Sequence, residues 1–96
     1  MEKQWLVYIL QCGDNTLYTG ITDDLPHRLE MHRAGKGAKY TRGRSPLMLV
    51  YQENAPSYSD ALKREYRIKQ LSRTEKLKLI ESYKKTATEW SVAVLY

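Results

Sequence analysis

The sequence is poor in cysteine and has no long apolar run. A lone cysteine, Cys12, cannot form an internal disulfide, so stability must come from packing, and an unpaired thiol is usual in a reducing compartment. One cysteine and two histidines also make no zinc site. The first residues lack the basic and apolar regions of a signal peptide, and no segment has the length of a membrane span. These absences exclude a disulfide scaffold and predict a cytoplasmic protein that does not bind membranes.

Positive charge is abundant and unevenly distributed. The 96 residues are 42% hydrophobic and 28% charged, as expected of one globular domain, and the net charge is +5. Residues 33–44 contain five cations and no acid, and residues 63–85 contain nine cations and three acids. Clustered positive charge is typical of proteins that bind a polyanion, although it also serves solubility. We therefore expect nucleic acid as the partner. We also expect the chain to act as a monomer.

The first part of the chain is typical of a β-hairpin. Trp5–Leu10 is apolar and rich in β-branched and aromatic residues, which predicts a strand buried on both faces. Cys12–Asn15 is a turn signal, and Thr16–Thr22 is the second predicted strand. Tyr8 and Tyr18 then lie on the same face, either opposed or one diagonal step apart.

Capping signals predict three helices. They begin at Asp23-Asp24-Leu25-Pro26, at Ser57 with Asp60, and at Ser72-Arg73-Thr74-Glu75. The first helix should end at Gly35, and a basic loop leads from there to a third strand at Leu47–Gln52. The order β-β-α-β-α-α predicts an α+β fold, a small three-stranded antiparallel sheet flanked by helices. We expect residues 1–85 to form the functional unit, with residues 86–96 as a tail or a fourth strand of the same domain.

Glu65 interrupts an apolar helical pattern. Tyr58, Ala61, Leu62 and Ile68 follow the helical period, and Glu65 falls on the same stripe, which predicts that these residues face inward. A buried carboxylate needs a cation, hydrogen bonds or a metal ion. A salt bridge is the simplest partner, but Mg²⁺ is commonly held by one or two carboxylates together with water and phosphate.

Arg28 and His32 lie one turn apart on the first predicted helix. A guanidinium matches two phosphate oxygens at once, and an imidazole can transfer a proton or bind phosphate. A surface ion pair with Asp24 or Glu30 explains Arg28 equally well. Taken alone, His32 is more simply an inert, half-exposed helix residue.

Several motifs in a fixed order carry a family resemblance: Val7-Tyr8-Ile9, Tyr18-Thr19-Gly20, Arg28, His32 and Glu65. This order resembles the GIY-YIG nuclease superfamily, most of all its small stand-alone bacterial members, and it extends over residues 5–83. Leu6 and Thr19 stand where the family name has Gly and Ile, at backbone or packing positions. The missing separate DNA-reading domain leaves sequence specificity open.

The resemblance implies a metal-dependent endonuclease that hydrolyses phosphodiester bonds in DNA, in structured or single-stranded nucleic acid, or in RNA. It implies one Mg²⁺ or Mn²⁺ ion held by Glu65, with Tyr8 as general base or nucleophile-positioning group. It further implies that Tyr18 orients water or phosphate and that Arg28 stabilises the transition state. His32 and Tyr40 match positions near the same cleft, with less defined roles.

The residues predicted to contact nucleic acid are Arg33, Lys36, Lys39, Tyr40, Arg42, Arg44 and Lys69. The main alternative is a module with the same fold that binds nucleic acid without cutting it. A third alternative is a small protein whose basic face binds an acidic protein.

Overall fold

The elements follow the predicted order around one antiparallel sheet. We describe a computed structural model that covers residues 4–86 and 93–94. The elements are β1 (Trp5–Gln11), β2 (Leu17–Thr22), α1 (Leu25–Arg33), β3 (Met48–Ala55), α2 (Tyr58–Gln70), α3 (Arg73–Thr86) and β4 (Ala93–Val94). The strand order is β2-β1-β3-β4, so the predicted three-stranded α+β sheet gains a two-residue strand at one edge.

β1 lies between β2 and β3 and is covered on both faces, as predicted. Its residues 7–10 are all fully buried. Val7 and Ile9 belong to the core cluster that includes residues of α2 and α3, whereas Tyr8 and Leu10 belong to a second cluster that includes residues of α1. A strand with apolar side chains on both faces can be stable only with such two-sided packing.

The hairpin places two tyrosines together. Tyr8 pairs with Gly20 and Leu10 pairs with Tyr18, so the two tyrosines lie one diagonal step apart on one face. This confirms the predicted shared face. Asn15 in the turn has a φ of 68°, a conformation that asparagine tolerates better than most residues.

β3 continues beyond its predicted end at Gln52 as far as Ala55. The partners for this extension come from the first residues of β1. A partly buried Glu53 carboxylate without a partner would cost free energy at this position. Arg64 of α2 supplies the partner, because its Nε donates to both carboxylate oxygens at 3.0 Å. Tyr51 donates a further hydrogen bond to Glu53. The charged residue can therefore continue the strand.

The helix starts are capped as the sequence predicts. The Asp24 side chain accepts a hydrogen bond from the His27 amide at the start of α1. Ser57 accepts from the Asp60 amide at the start of α2. At α3, Ser72 accepts from the Glu75 amide while the Glu75 carboxylate accepts from the Ser72 amide, a reciprocal capping box.

α2 turns a different stripe toward the sheet from the one predicted. Ala61 and Ile68 are fully buried, but Tyr58 and Leu62 are exposed, so their predicted inward orientation was wrong. The physical reason is the ion pair between Arg64 and Glu53 of β3. This pair keeps Arg64 on the side of α2 that faces the sheet, and Tyr58 and Leu62 are then turned toward solvent.

The C-terminal segment contributes one short pairing. Ala93 and Val94 pair with Leu49 and Met48 of β3, as the fourth-strand alternative requires. The rest of the predicted tail after Thr86 lies outside the described residues, and the division at residue 85 stays a prediction. Within the described part of the chain, no helix is both long and apolar enough to cross a bilayer.

The orientation of α2 predicts unequal effects of two truncations on that helix. Ile68→Ala should lower the free energy of unfolding by about 2–5 kcal/mol, because it leaves a cavity in the core. Leu62→Ala should cost less than about 1 kcal/mol, because its side chain already contacts solvent. Urea denaturation of both variants measures the difference. Equal losses would contradict the orientation described here.

Candidate active site

The Tyr8 hydroxyl is the centre of a buried hydrogen-bond network. It lies 2.8 Å from His32 Nε2 and accepts a hydrogen bond from Arg28 Nε at 3.3 Å. Arg28 and His32 stand one turn apart on α1, so a single helix face presents both groups to the central strand. The His32 side chain is therefore engaged rather than inert, and only 2% of the residue is exposed.

The network determines which nitrogen of His32 carries the proton. Nδ1 lies 2.9 Å from Thr41 Oγ1, and that hydroxyl donates to the Ala38 carbonyl at 3.2 Å. A threonine hydroxyl has one hydrogen, so when that hydrogen is donated to the Ala38 carbonyl, Nδ1 is the donor to Oγ1. Nε2 is then the acceptor, and Tyr8 donates to it. The donors run in one direction, from Arg28 through Tyr8 and His32 to Thr41.

Burial keeps both central groups uncharged at neutral pH. It lowers the pKa of His32 to about 4, and the neighbouring Arg28 charge acts in the same direction. Burial also raises the pKa of Tyr8 to about 12, opposed by the hydrogen bond from Arg28. Tyr18 and Glu65 contribute further to the raised pKa of Tyr8. A neutral phenol therefore faces a neutral imidazole.

Arg28 is the fixed positive charge of the site. One terminal nitrogen donates to the Gly37 carbonyl at 2.6 Å. Burial alone would lower the pKa of Arg28, but the hydroxyl groups of Tyr8 and Tyr18 raise it above its usual value. These contacts direct the guanidinium into the site, which resolves the alternative of a surface ion pair with Asp24 or Glu30.

Two glycines make room for the network. A Cβ on Gly20 would lie 2.6 Å from the Tyr8 hydroxyl oxygen, and one on Gly37 would lie 2.5 Å from His32 Nδ1. Neither contact was predicted, and Thr41 was missed entirely. A glycine inside a strand is a known sign of close approach, which could have singled out Gly20. The sequence carries no comparable signal for Thr41.

Aromatic rings extend the site toward the surface. The Tyr18 ring lies 5.3 Å from the His32 ring and 5.9 Å from the exposed Tyr40 ring, between centroids. The Arg44 guanidinium lies 4.5 Å from the Tyr40 centroid and also pairs with Asp14 of the hairpin turn. The basic loop is thereby joined to Tyr18 of β2 and to the hairpin turn.

Glu65 lies at the edge of the network. Its side chain is 19% exposed, and Oε2 lies 3.3 Å from Nζ of Lys69, whose side chain is 52% exposed. The predicted salt bridge is therefore present, but on the solvent side. The carboxylate is also near enough to raise the pKa of Tyr8.

The donor set fits a magnesium-type ion with a single protein carboxylate. Among the described residues, no group of three His, Cys, Asp or Glu side chains could hold a metal. A half-buried carboxylate with one exposed lysine partner can exchange that lysine for a cation. Water and substrate phosphate would complete the ligands, as is usual for Mg²⁺.

A basic groove of about 330 Å³ opens beside this site, and Leu17, Tyr18, Thr19, Tyr40, Lys69 and Lys76 line it. Lys76 was not among the predicted contacts. A larger groove of about 550 Å³ beside α3 contains none of the predicted site residues, so size alone does not locate the site.

The other predicted cations lie on the surface, at the end of α1 and in the basic loop. Arg33 forms an exposed ion pair with Glu30 at 3.6 Å. Arg42 donates from Nε to the Gly35 carbonyl at 3.1 Å, and Lys36 and Lys39 are exposed. Their contact with nucleic acid stays a prediction.

Comparisons with known proteins bear on this geometry. A family model described as the GIY-YIG catalytic domain matches residues 4–78, a range that includes every predicted catalytic residue. A UPF0213 protein from Oceanobacillus iheyensis is 59% identical over 81 residues, which are 84% of this chain and 94% of that protein. A UPF0213 protein from Halobacterium salinarum is 56% identical over 70 residues, 73% of this chain and 91% of that protein.

Two solved structures share the fold. The solution NMR structure of a UPF0213 protein from Bacillus halodurans has a TM-score of 0.56 and 42% identity, and the match covers 92% of this chain and 90% of that one. The solution NMR structure of a protein from E. faecalis has a TM-score of 0.62 and 31% identity, with 92% and 94% covered.

The buried neutral imidazole predicts an acid-sensitive stability. The pKa of His32 is about 4 in the folded chain, against an ordinary value of 6.5, so the unfolded chain binds this proton first as pH falls. The neutral imidazole makes its full contribution to the free energy of unfolding above about pH 6.5. This contribution is lost as the pH falls to 4, a loss of about 3 kcal/mol at most. Denaturation at several pH values measures it.

His32→Gln should remove this part of the pH dependence, whereas His27→Gln, at an exposed position of the same helix, should keep it. Nitrogen NMR of the His27→Gln protein should show the proton on Nδ1 of the remaining imidazole. A proton on Nε2 at neutral pH would contradict the direction of the network.

Proposed function

The chain belongs to the GIY-YIG catalytic-domain family, and from that membership we propose that it is a metal-dependent endonuclease that hydrolyses phosphodiester bonds in DNA. Family membership implies a nuclease-type protein that acts on nucleic acid. The observation that carries the finer proposal is the Tyr8 hydroxyl, bonded at once to Arg28 and His32. Mg²⁺ or Mn²⁺ is the proposed ion, and a cytoplasmic monomer is the proposed state.

Tyr8 and His32 supply the path for a proton. Tyr8 is fully buried in the free chain, so substrate binding must bring the attacking water to its hydroxyl, and the neutral phenol can accept a proton from that water only by releasing its own. As the water O–H bond breaks and a new O–H bond forms on Tyr8, the phenol proton passes to His32 Nε2 along the hydrogen bond that joins the two atoms, which lie 2.8 Å apart. Thr41 keeps Nε2 turned toward Tyr8. The lowered pKa of His32 makes the imidazolium a ready proton donor, so it returns the proton to Tyr8 once the bond is cleaved, and Tyr8 releases the proton gained from water to the departing oxygen or to solvent.

Arg28 stabilises the charge that develops on the phosphoryl oxygens. Its guanidinium has five N–H donors, and the bonds to Tyr8 and Gly37 hold it in place before substrate arrives. A charge positioned in advance stabilises a transition state more than one that must reorganise. Tyr18, beside Arg28 and His32, orients the attacking water or the phosphate.

Glu65 is the residue that would hold the metal. When bound, a divalent cation supplies Lewis acidity to the phosphoryl oxygen and assists departure of the leaving oxygen. Lys69 then loses its carboxylate partner and is placed to pair with phosphate in the adjoining groove.

The ion pair of Glu65 with Lys69 favours one alternative, a module that binds nucleic acid without cutting it. In that case the lysine permanently neutralises the carboxylate, and no metal enters. The two functions make opposite predictions for a Glu65 variant.

Cleavage of labelled nucleic acids with Mg²⁺ or Mn²⁺ tests the proposal. The panel contains single-stranded, duplex, flapped and branched DNA, and RNA. Glu65→Gln and Tyr8→Phe should each lower the rate by about a hundredfold or more, because each removes a group needed at the reacting phosphate. Glu81→Gln, at an exposed position of α3, is the control and should keep full activity. No cutting of any substrate, with equal binding by wild type and Glu65→Gln, would favour the binding module.

Lys69→Gln should separate metal binding from nucleic-acid binding. Without the competing ammonium, Mn²⁺ should bind about two- to fivefold more tightly, the range expected for loss of an exposed ion pair. Binding of DNA in the absence of metal should weaken, because a phosphate contact is lost. Calorimetry and fluorescence anisotropy measure the two effects, with Lys78→Gln on α3 as control. Unchanged Mn²⁺ affinity would contradict a competition between Lys69 and the metal for Glu65.

A further inference from the structure

The outer face of α2 carries an exposed row of large side chains. Tyr58, Leu62 and Tyr66 follow one another at intervals of four residues and are 52%, 40% and 66% exposed. Residues at this spacing lie on one side of a helix. Tyr58 packs on Trp5 with 4.8 Å between ring centroids, whereas Tyr66 has no aromatic contact among the described residues. Such a row of exposed apolar surface is typical of an interaction site.

Cations flank this row. Lys63 and Arg67 line a shallow groove of about 400 Å³ together with Leu62 and Tyr66, and no acid lines it. Lysine and arginine beside exposed aromatic rings are the combination that binds single-stranded nucleic acid. The cations contact phosphates, and bases stack on the rings. An acidic protein would match the charge but would not use the flat, exposed face of Tyr66 in this way.

The row is continuous with the candidate active site. Glu65 lies three positions after Leu62, and Lys69 lies three positions after Tyr66, so both border the row on the same helix. A strand that leaves the reacting phosphate at Glu65 can therefore pass directly over Leu62 and Tyr66. The basic groove beside Tyr18 and Tyr40 lies next to Lys69 and can hold the strand before that point.

We propose that the outer face of α2, formed by Leu62, Lys63, Tyr66 and Arg67, binds an unpaired segment of the nucleic-acid substrate next to the cleavage site. The proposal rests on the proposed function and narrows its substrate class. Bases within a duplex are stacked on one another and present no free ring face except at its ends, so along the strand it is unpaired bases that can stack on Tyr66. The chain should therefore prefer single strands, overhangs or flaps to blunt duplexes.

Binding without metal, in the presence of a chelator, tests the proposal independently of cleavage. Fluorescence anisotropy compares a labelled single-stranded oligonucleotide with a blunt duplex. Tyr66→Ala should weaken single-strand binding by about fivefold or more, whereas Tyr66→Phe should retain it, because the ring does the stacking. Duplex binding should not change. Leu77→Ala, which removes an exposed apolar side chain from α3, is the matched control.

The salt dependence tests the cations. Lys63→Gln and Arg67→Gln should each reduce the slope of log affinity against log salt by about 0.7 for the single strand. Lys84→Gln, at an exposed position of α3, should leave this slope unchanged. Equal reductions in all three variants would mean a diffuse charge effect and no defined site.

Each outcome decides between the proposals. If Tyr66→Ala does not weaken single-strand binding and the protein still cuts nucleic acid, the proposed site on α2 is wrong and the proposed nuclease stands. A Tyr66 effect in a protein that never cuts supports the α2 site and removes the nuclease. Wild-type protein that binds no single strand overturns the site. So does sedimentation that shows a dimer which Tyr66→Ala dissociates, because the face would then bind a second copy.

Discussion

The hydrogen bond between Tyr8 and His32 is the interaction on which the candidate site depends. Both groups are buried, and a buried polar group without a partner costs about 1–3 kcal/mol. The central strand and α1 must therefore meet at one spacing, 2.8 Å between the two atoms. Thr41 satisfies the far side of the imidazole, and a side chain at Gly20 or Gly37 would prevent the approach. The loop and the second strand are thus constrained by the same contact.

This constraint also organises the charge of the site. Tyr8 and His32 are neutral because they are buried, so the Arg28 guanidinium is the net charge within the network. The carboxylate of Glu65 stands at its edge beside Lys69, where solvent and a polyanion can reach it. A neutral interior, one fixed cation and one acid at the edge of the network are compatible with the proposed reaction of phosphate at a metal ion.

Helix α2 illustrates where sequence reasoning singled out a residue from an incomplete picture of the helix. The apolar period identified Glu65 as unusual, and it does lie toward the tyrosines. The same period placed Tyr58 and Leu62 inside, whereas the ion pair of Arg64 with Glu53 turns them to solvent. The apolar period indicates which residues share a face of a helix. The contacts of that helix with a strand elsewhere in the chain determine which face points toward the core.

The sequence by itself determined the elements, their order, the helix caps and the shared face of Tyr8 and Tyr18. These depend on neighbours within a few residues, where period and backbone preference decide. Only the tertiary structure decided that His32 is engaged rather than inert, that Thr41 orients it, and that α2 turns an aromatic row outward. Those outcomes arise from contacts between segments distant in sequence, and no local pattern encodes which buried polar group will meet which partner.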